Sequence, residues 1–455
     1  MEFKATTKSD QLHDFLKQEI QKEVFKPLQR IPSERILAED FHLARPTVHK
    51  VLSNLVAEGI LYRKLGQGTF VASQSSQKTI LSICILTPSL QPECVKNLFE
   101  LFEQKHPKVE IKTHYFSAQE AANADFWRRQ PGFDLLMVGE FMAGSLIQRG
   151  ILADLTGRVD ADCKPDLFRS IPFSLFSKEG SCYAVPIAAS PIVLFCNCRL
   201  FREAGVSIGT EPMTWEDFLE KARRLTDPAK GQYGFAFSNH RNRWPVLLMK
   251  RGASIFDATG ACVADRPAVR EALQWCLDLV WRHQVAPSPL IDANQLFARG
   301  KVAMLMGTGY CMPLFKHCAG LEYEIVPMPG NPAEPTGLMS MGFGIAEESP
   351  RKELAWDFIL QVVSEEVQTS LYRANYALPV RKIPQQDQSP EFQMLDREMS
   401  RSHPIYPGPE SYRAIEMLTE ELKLFWANTQ SVDDVLSAFE NMRGDPSPSF
   451  SIPFQ

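Results

Sequence analysis

Three short motifs between residues 31 and 71 constrain the fold of this chain more than any other feature. They read Ile31-Pro32-Ser33-Glu34-Arg35, Arg45-Pro46-Thr47-Val48 and Gly66-Gln67-Gly68-Thr69-Phe70-Val71. Ser33 suits the N-cap of one helix, and Pro46 suits the first turn of the next. Alternating residues at 60–64 and 69–71 predict two strands around the glycines. Together the motifs predict a helix-turn-helix followed by a β-wing.

A further helix is predicted ahead of these motifs. Its apolar positions at helical spacing are Leu12, Phe15, Leu16, Ile20 and Val24. Pro27 ends that pattern, and Gly59 ends the helix that starts near Pro46. Residues 1–74 are therefore predicted to form one small domain of the α+β class.

A helix-turn-helix reads DNA by placing the N-terminal side chains of its second helix in the major groove. The candidate contacts are Arg45, Thr47, His49 and Lys50 for the groove, Arg35 for a phosphate or a base edge, and Gly66, Gln67 and Gly68 for the minor groove. Phosphate contacts position such a domain and base-edge contacts specify the sequence. We therefore expect double-stranded operator DNA as a partner.

Length and composition indicate a multidomain globular protein. The chain has 455 residues, which is too many for one ordinary core, and 44% of them are hydrophobic. Residues 1–74 hold 11 Lys and Arg against 9 Asp and Glu, whereas the whole chain carries a net charge of -5. A mildly basic first domain on an acidic body suits a DNA reader whose larger part stays off the DNA.

The sequence also predicts a cytoplasmic protein. The amino terminus carries no apolar segment of the kind that directs secretion, and no apolar run is long enough to span a membrane. The ten cysteines lack framework spacing, so we expect reduced thiols. Cys196-Asn197-Cys198 has no partner ligands nearby, so we expect core thiols there and no metal.

After residue 80 the pattern alternates between strands and helices, which predicts a doubly wound α/β fold. Apolar strands are predicted at 80–86, from 109 and at 134–138, with a helix at 94–102. Ligands collect at the carboxyl ends of strands in such sheets. The predicted loop 139–142 is therefore a binding-site candidate. Residues 75–79 are predicted as a linker, because the segment 73–78 is polar and lacks periodicity.

Residues 8–72 resemble the winged-helix domain of the GntR family of bacterial transcription regulators. The resemblance implies DNA contacts at Arg35, Arg45 and Gly66. His49 stands where that family often has arginine, so the usual operator sequence of the family is not carried over. The family expectation is a homodimer.

A second resemblance covers about residues 80–440. The motifs that carry it, in order, lie at 183–187, 193–197, 212–218, 231–235, 297–304, 323–329, 342–345 and 355–359. The series resembles the family 1 extracellular solute-binding proteins of ABC importers, which capture sugars and oligosaccharides. It implies a two-lobed α/β domain of the periplasmic-binding-protein type (type II) over 80–455, with a hinge crossing near 188–191. Lobe one would hold 80–188 and 341–385, and lobe two would hold 189–340 and 386–455.

The second resemblance also implies a ligand cleft between the lobes. Sugars are held by aromatic faces and by planar polar side chains. Tyr310 and Trp244 are the expected stacking platforms, with Glu140, Asn239 and Ser190 as hydroxyl partners. The remaining candidates are Phe141, Arg243, Met341 and Phe343, with Tyr406 or Tyr412 as a further wall of the cleft. Trp244 could instead pack between the lobes, and Arg241 and Arg243 could form a solvated rim or suit an acidic sugar.

These features predict a ligand-responsive transcription regulator that senses a small solute, most simply a carbohydrate. No phosphate loop, zinc-ligand set or nucleophile elbow is present, so we expect no cofactor, no catalytic residue and no enzyme activity. Two alternatives stay open. The body could be a pyridoxal-phosphate aminotransferase-like domain, since 174–178 (Ser-Leu-Phe-Ser-Lys) superficially resembles a Schiff-base lysine context. The chain could also bind DNA constitutively with a body that binds nothing.

Overall fold

The computed structural model describes the chain over the ranges 8–22, 24–64, 67–72, 78–87, 90, 92–117, 120–121, 126–127, 132–164, 166–209, 212–257, 262–264, 266–374, 378–382, 389–406 and 411–444. Two compact units are present. The first comprises residues 1–80 and 103–111, and the second comprises 81–102 and 112–455. We call residues 8–72 the head and the second unit the body.

The head contains three helices and a two-stranded hairpin. The helices are Lys8–Gln21, Glu34–Asp40 and Arg45–Ala57, and the strands are Leu61–Lys64 and Gly68–Val71. The strands pair antiparallel with Tyr62 opposite Phe70. The predicted helix-turn-helix and wing are therefore confirmed. The first helix ends at Gln21, short of Val24, whose side chain is 54% exposed.

Local signals in the head act as predicted. Ser33 Oγ accepts a hydrogen bond from the Ile36 amide at 3.4 Å, so it caps the second helix. Pro46 occupies the first turn of the third helix, and Gly59 has a φ of 71° that ends it. The buried apolar residues of all five elements form one small core that consists of Leu12, Leu16, Ile31, Leu37, Val48, Val51, Leu52, Leu55, Leu61 and Val71.

The body is built on a mixed sheet, to which ten strands contribute in the described part of the chain. The main path of the sheet runs, from one edge to the other, through Val109–Ser117, Thr79–Thr87, Leu135–Gly139, Gly337–Ile345, Val185–Asn197, Val302–Thr308 and Tyr233–Ala236. Shorter strands lie off this path at Tyr323–Val326, Leu378–Pro379 and His403–Pro404, and a separate hairpin pairs Ser177–Lys178 with Ser181–Cys182.

One long strand, Val185–Asn197, links the two lobes of the body. All of its residues are buried. Its first half pairs with Gly337–Ile345, and its second half pairs with Val302–Thr308. The predicted hinge crossing near 188–191 lies within this strand, and the backbone runs through it without a break. The register shifts between Met341 and Gly342, opposite Pro186, so the proline sits at an irregularity where a missing amide is tolerated.

Helices cover this sheet. The longer ones are Pro92–Lys105, Glu140–Gln148, Trp215–Arg224, Pro267–Trp281, Lys352–Val362, Glu365–Arg373, Pro390–Met399, Ser411–Trp426 and Val432–Gly444. The shorter ones are Thr156–Asp162, Ser170–Ser174, Cys198–Glu203, Trp244–Lys250, Ala293–Ala298 and Met312–Lys316, with 3-10 turns at Pro228–Lys230 and Gly309–Cys311. The core of lobe two draws its residues from 192–328 and from 405–436.

Three local predictions need correction. The predicted loop 139–142 is not a loop, because the helix Glu140–Gln148 begins directly after the strand that ends at Gly139. The predicted linker 75–79 lies outside the described residues up to 77, and Thr79 already belongs to a strand. The sequence Gly307-Thr308-Gly309 predicts a flexible loop that exposes the Tyr310 ring, but Gly307 and Thr308 are the buried end of the strand Val302–Thr308.

All ten cysteines are free thiols, and Cys196 is fully buried in the core of lobe two. Among the described residues, no helix combines the length and apolarity needed to cross a lipid bilayer.

Candidate functional site

Glu140 is the most constrained polar group of the body. It opens the helix Glu140–Gln148 and is only 7% exposed. Its Oε2 accepts a hydrogen bond from the Ser340 amide at 3.0 Å, and Ser340 Oγ in turn donates to the Ala188 carbonyl at 2.8 Å. Its Oε1 is buried and has no hydrogen-bond partner among the described residues. Burial raises the pKa of Glu140 to about 7, although Arg243 and Arg241 act in the opposite direction.

Tyr310 is close enough to Glu140 for the charge of the carboxylate to act on the Tyr310 hydroxyl. It follows the strand Val302–Thr308 in the 3-10 turn Gly309–Cys311, which the Gly309 amide anchors by donating to Ser190 Oγ at 2.7 Å. The Tyr310 hydroxyl is buried, and no described residue bonds to it. Burial and the negative charge of Glu140 hold the pKa of Tyr310 well above its usual value. The two groups thus share one water-poor environment.

Contacts of Arg241 with the rings of Phe141 and Tyr412 join the two lobes next to Glu140. Arg241 Nη1 donates to Tyr412 Oη and, at 2.8 Å, to Glu416 Oε1. Its guanidinium lies 4.9 Å from the Tyr412 ring centre and 5.4 Å from that of Phe141. Phe141 and Tyr412 contact each other with centroids 5.1 Å apart. Helix Glu140–Gln148 of lobe one therefore meets helix Ser411–Trp426 of lobe two through these side chains.

Tyr406 extends the same wall. Its hydroxyl donates to the Arg241 carbonyl at 3.1 Å, and its ring lies 5.7 Å from that of Tyr412. Burial and Glu140 raise the pKa of Tyr406 well above its usual value. We call Glu140, Phe141, Arg241, Arg243, Tyr310, Tyr406 and Tyr412 the interlobe cluster.

Arg243 differs from Arg241 because no carboxylate of the described residues forms an ion pair with it. Its Nη1 donates to Asn242 Oδ1 at 2.8 Å and to Met339 Sδ at 3.1 Å. Among the described residues, no Asp or Glu oxygen lies within ion-pair distance of Arg243, whereas Arg241 is paired with Glu416. Burial lowers the pKa of Arg243. Within the described residues, Arg243 is therefore a cation of the interlobe cluster without an ion pair, although Glu140 acts on it electrostatically.

Four predicted ligand contacts lie inside the protein and are satisfied there. Trp244 is fully buried and donates from Nε1 to Thr419 Oγ1 at 3.0 Å, so its ring packs in the core of lobe two. Phe343 is also fully buried, 5.3 Å from Phe358. Asn239 donates to the Thr419 carbonyl at 2.9 Å and accepts from Trp426 Nε1 at 2.8 Å.

Ser190 is the fourth of these residues. It is fully buried, accepts from Gly309 and donates to the Pro191 carbonyl at 3.1 Å. These placements correct the expectation that Trp244, Phe343, Asn239 and Ser190 face the cleft. Met341 is partly exposed and pairs with Gly139, next to Glu140. The structure therefore brings together Glu140, Phe141, Arg243, Tyr310, Met341 and Tyr406 of the predicted set.

Sequence reasoning missed the partners that organise this cluster. Glu416, which neutralises Arg241, is separated from it by 175 residues. Ser340 and Met339, which contact Glu140 and Arg243, are ordinary residues of a buried strand. No local signal identifies any of the three, because their roles depend on which strands and helices become neighbours.

In the head, the candidate DNA contacts lie mostly on exposed surface. Arg45, His49 and Lys50 are exposed on the helix Arg45–Ala57, and Thr47 is partly buried. Arg35 is exposed as well and pairs with Glu39 at 3.1 Å. Gln67 is exposed at the hairpin, and Gly66 lies outside the described residues.

A polar network ties the third helix of the head to the wing. His49 Nδ1 lies 2.8 Å from Glu34 Oε1. Arg63, on the first wing strand, donates to Ser53 Oγ at 3.0 Å and lies 3.6 Å from the same Glu34 oxygen. Gly68 has a φ of 110°, and a Cβ there would lie 2.7 Å from Arg30 Nε, so the tip requires glycine. The network holds His49 in a fixed orientation.

Two families account for most of the chain. Residues 97–396 match the family described as bacterial extracellular solute-binding protein, and residues 8–71 match the family of bacterial regulatory proteins called gntR. The chain belongs to the extracellular solute-binding protein family and carries a gntR-family winged-helix domain in front of it. The body is thus a two-lobed solute-binding fold, and the alternative of an aminotransferase-like body is not supported.

Individual relatives agree with this division. The arabinooligosaccharide-binding protein of Halalkalibacterium halodurans is 25% identical over 220 residues, which cover 46% of this chain and 49% of that protein. The HTH-type transcriptional repressor NagR of Bacillus subtilis is 38% identical over 81 residues, or 18% of this chain and 33% of that protein. The matches span about half or less of the length of these curated relatives.

Among solved structures, an ABC substrate-binding protein from Listeria monocytogenes in complex with cycloalternan superimposes with a TM-score of 0.71. It is 20% identical, and the alignment covers 80% of this chain and 98% of that one. At this identity the likeness concerns the fold of the body.

Proposed function

We propose that this protein is a transcription regulator that binds operator DNA through its head and senses a sugar-type solute in its body. The observation that carries the proposal is the presence, in one chain, of a gntR-family winged helix and a complete two-lobed solute-binding fold. A capture domain joined to a DNA-binding domain has an evident use as a sensor. The families are not enzyme families, which supports a binding function.

The interlobe cluster supports ligand binding in the body. Buried polar atoms such as Glu140 Oε1 and the Tyr310 hydroxyl, which have no hydrogen-bond partner in the described part of the chain, are costly. A polyhydroxylated ligand that hydrogen-bonds there would recover part of that free energy. Aromatic rings beside them, Phe141, Tyr406 and Tyr412, supply apolar faces of the kind that pack on sugar C–H groups.

The mechanism we propose is a shift between two conformations of the body. A ligand held by both lobes stabilises the conformation in which they are close together, and DNA affinity depends on that conformation. The ligand can act only through its difference in affinity between the two states. We further propose a homodimer in the cytoplasm, since paired winged-helix domains bind half-sites about one helical turn apart.

Two measurements on the full-length protein test this proposal. Selection from a random duplex library is expected to yield a consensus of two half-sites, and Arg45→Ala is expected to abolish the enrichment. A thermal-shift screen with mono- and oligosaccharides then identifies a ligand, since a ligand at 100 times its Kd adds about 2.7 kcal/mol.

The decisive result is the effect of that ligand on DNA affinity. We expect the Kd for the selected duplex, measured by fluorescence anisotropy, to change at least about fivefold at saturating ligand. An unchanged Kd would refute the sensor function. The control is Lys316→Gln, which alters an exposed lysine of the body and is expected to preserve the response.

A further inference from the structure

Arg243 is the member of the interlobe cluster whose charge favours an anionic ligand. Only its Nη1 makes hydrogen bonds to oxygen acceptors among the described residues, and these acceptors are the neutral Asn242 side chain and carbonyl. Its further contacts are the thioether of Met339 and the thiol of Cys311, neither of which is an oxygen acceptor. The side chain is partly exposed.

The edge of the guanidinium formed by Nε and Nη2 therefore makes no hydrogen bond to an oxygen or nitrogen atom of the described residues. This edge presents two parallel N–H groups. Such a fork matches the two oxygens of a carboxylate or of a phosphate. A cation partly removed from water without a counter-charge is costly, and an anion on the ligand would offset that cost.

The charged groups next to Arg243 do not oppose the binding of an anion. Arg241 is neutralised by Glu416, at 2.8 Å. Glu140 is the nearest acidic member of the cluster, and its burial keeps much of it protonated near neutral pH. The local charge next to Arg243 is thus positive rather than balanced.

We propose that the effector is an anionic saccharide whose carboxylate or phosphate binds the Nε–Nη2 edge of Arg243. This inference rests on the proposed sensor function and adds the chemical class of the effector. The hydroxyl groups of such a ligand are free to bind the remaining polar members of the cluster. The shared chemistry is an oxyanion on a sugar ring or chain.

The test compares sugars that differ only in the anionic group. Galactose, galacturonate and galactose 6-phosphate form one series, and cellobiose, cellobionate and cellobiose 6'-phosphate form another. Thermal shift and isothermal titration calorimetry are run on the wild type, Arg243→Gln and Arg243→Lys. Arg202→Gln is the matched control, because Arg202 is an exposed arginine of lobe two that pairs with Glu322.

The expected result is that an anionic member binds at least about tenfold more tightly than its neutral parent, which is the scale of a charge-assisted hydrogen bond. Arg243→Gln is expected to abolish that difference and Arg202→Gln to keep it. Arg243→Lys, which retains the charge without the fork, is expected to lose part of it. Whether the uronate and aldonate or the phosphate shows the effect distinguishes the two sources of the oxyanion.

Two results would overturn the inference, and they are distinguishable. If a neutral sugar binds the wild type as tightly as its anionic partner, the effector class is wrong while the sensor function stands. If no sugar of either series binds the wild type, the proposed carbohydrate sensor fails together with this inference. Unliganded melting temperatures and circular dichroism establish that each variant is folded.

Discussion

At the residue scale, Glu140 illustrates the free-energy cost of burying a carboxyl group. Its carboxyl is 7% exposed, and a single backbone amide from Ser340 bonds one of its oxygens. The positive charges of Arg243 and Arg241 only partly compensate for the loss of water, so its pKa is raised to about 7. In the unfolded chain the same carboxyl would titrate near about 4.3. The native state therefore binds more protons than the unfolded state between these two values.

This difference predicts the pH dependence of stability. The contribution of Glu140 is fully present below about pH 4.3 and is lost as the pH rises through about 7, because ionisation is harder in the native state. The full loss amounts to about 4 kcal/mol, at 1.36 kcal/mol per pKa unit between about 4.3 and about 7. Glu140→Gln, which keeps an acceptor for Ser340, is expected to remove this pH-dependent loss. Urea unfolding at pH 5.0 and 7.5 measures the change in unfolding free energy over most of this pH interval.

The control is Glu322→Gln, which alters an exposed carboxyl of lobe two. This variant is expected to show the same change in unfolding free energy between the two pH values as the wild type. If Glu140→Gln also retains the wild-type change, Glu140 does not have the raised pKa that its burial implies.

At the scale of elements, close approach of helix and strand in lobe two depends on one glycine. Gly234 lies in the strand Tyr233–Ala236, and a Cβ there would lie 1.9 Å from the Ala222 carbonyl oxygen of the helix Trp215–Arg224. The helix and the strand cannot move apart there without disturbing the contact between Phe218 and Phe235, whose ring centroids are 4.9 Å apart. The packing of this helix therefore excludes even the smallest side chain.

Gly234→Ala is expected to destabilise the body by about 1–3 kcal/mol, the usual scale for overpacking. Gly157→Ala is the matched control. Gly157 lies in the helix Thr156–Asp162, and no atom lies within 4 Å of the Cβ that alanine would add. There alanine is expected to stabilise the helix by about 0.5–1 kcal/mol. Chemical denaturation of both variants gives the comparison, and equal effects would contradict the packing argument.

The elements of the head could be predicted because their signals are local. Ser33, Pro46 and Gly59 act within one turn of the backbone they terminate or start. The long strand Val185–Asn197 could not, because Pro186 and Pro191 suggest interruptions. Only pairing with Gly337–Ile345, where the register shifts opposite Pro186, shows how the strand tolerates a proline.

The cleft was only partly predictable for a related reason. Motif order suggested Glu140, Arg243, Tyr310 and Tyr406 together, and in the structure Glu140 acts electrostatically on each of the other three. Whether an aromatic ring faces a cleft or a core, however, depends on its tertiary neighbours. Trp244 is buried against Thr419, which is 175 residues away. Ser190 is buried too, as an anchor for Gly309. A polar or aromatic residue type alone does not reveal such a neighbour.

At the scale of the whole molecule, the proposed function implies thermodynamic coupling between head and body. If the effector changes the affinity for DNA by some factor, DNA must change the affinity for the effector by the same factor. This reciprocity holds for any path of communication. It therefore tests regulation without reference to the arrangement of the two units.

We expect the Kd of the effector, measured by titration calorimetry, to change when the protein is saturated with its selected duplex. The factor should equal the factor by which saturating effector changes the Kd of the duplex, and typical couplings lie at about 5–150-fold. Arg45→Ala, which removes an exposed side chain of the proposed DNA-contacting surface, should bind the effector with the wild-type Kd and show no change on adding duplex. A coupling factor of one in the wild type would mean that the body binds its ligand without regulating the head. Two unequal factors would mean that the titrations follow different species, such as a change in oligomeric state on DNA.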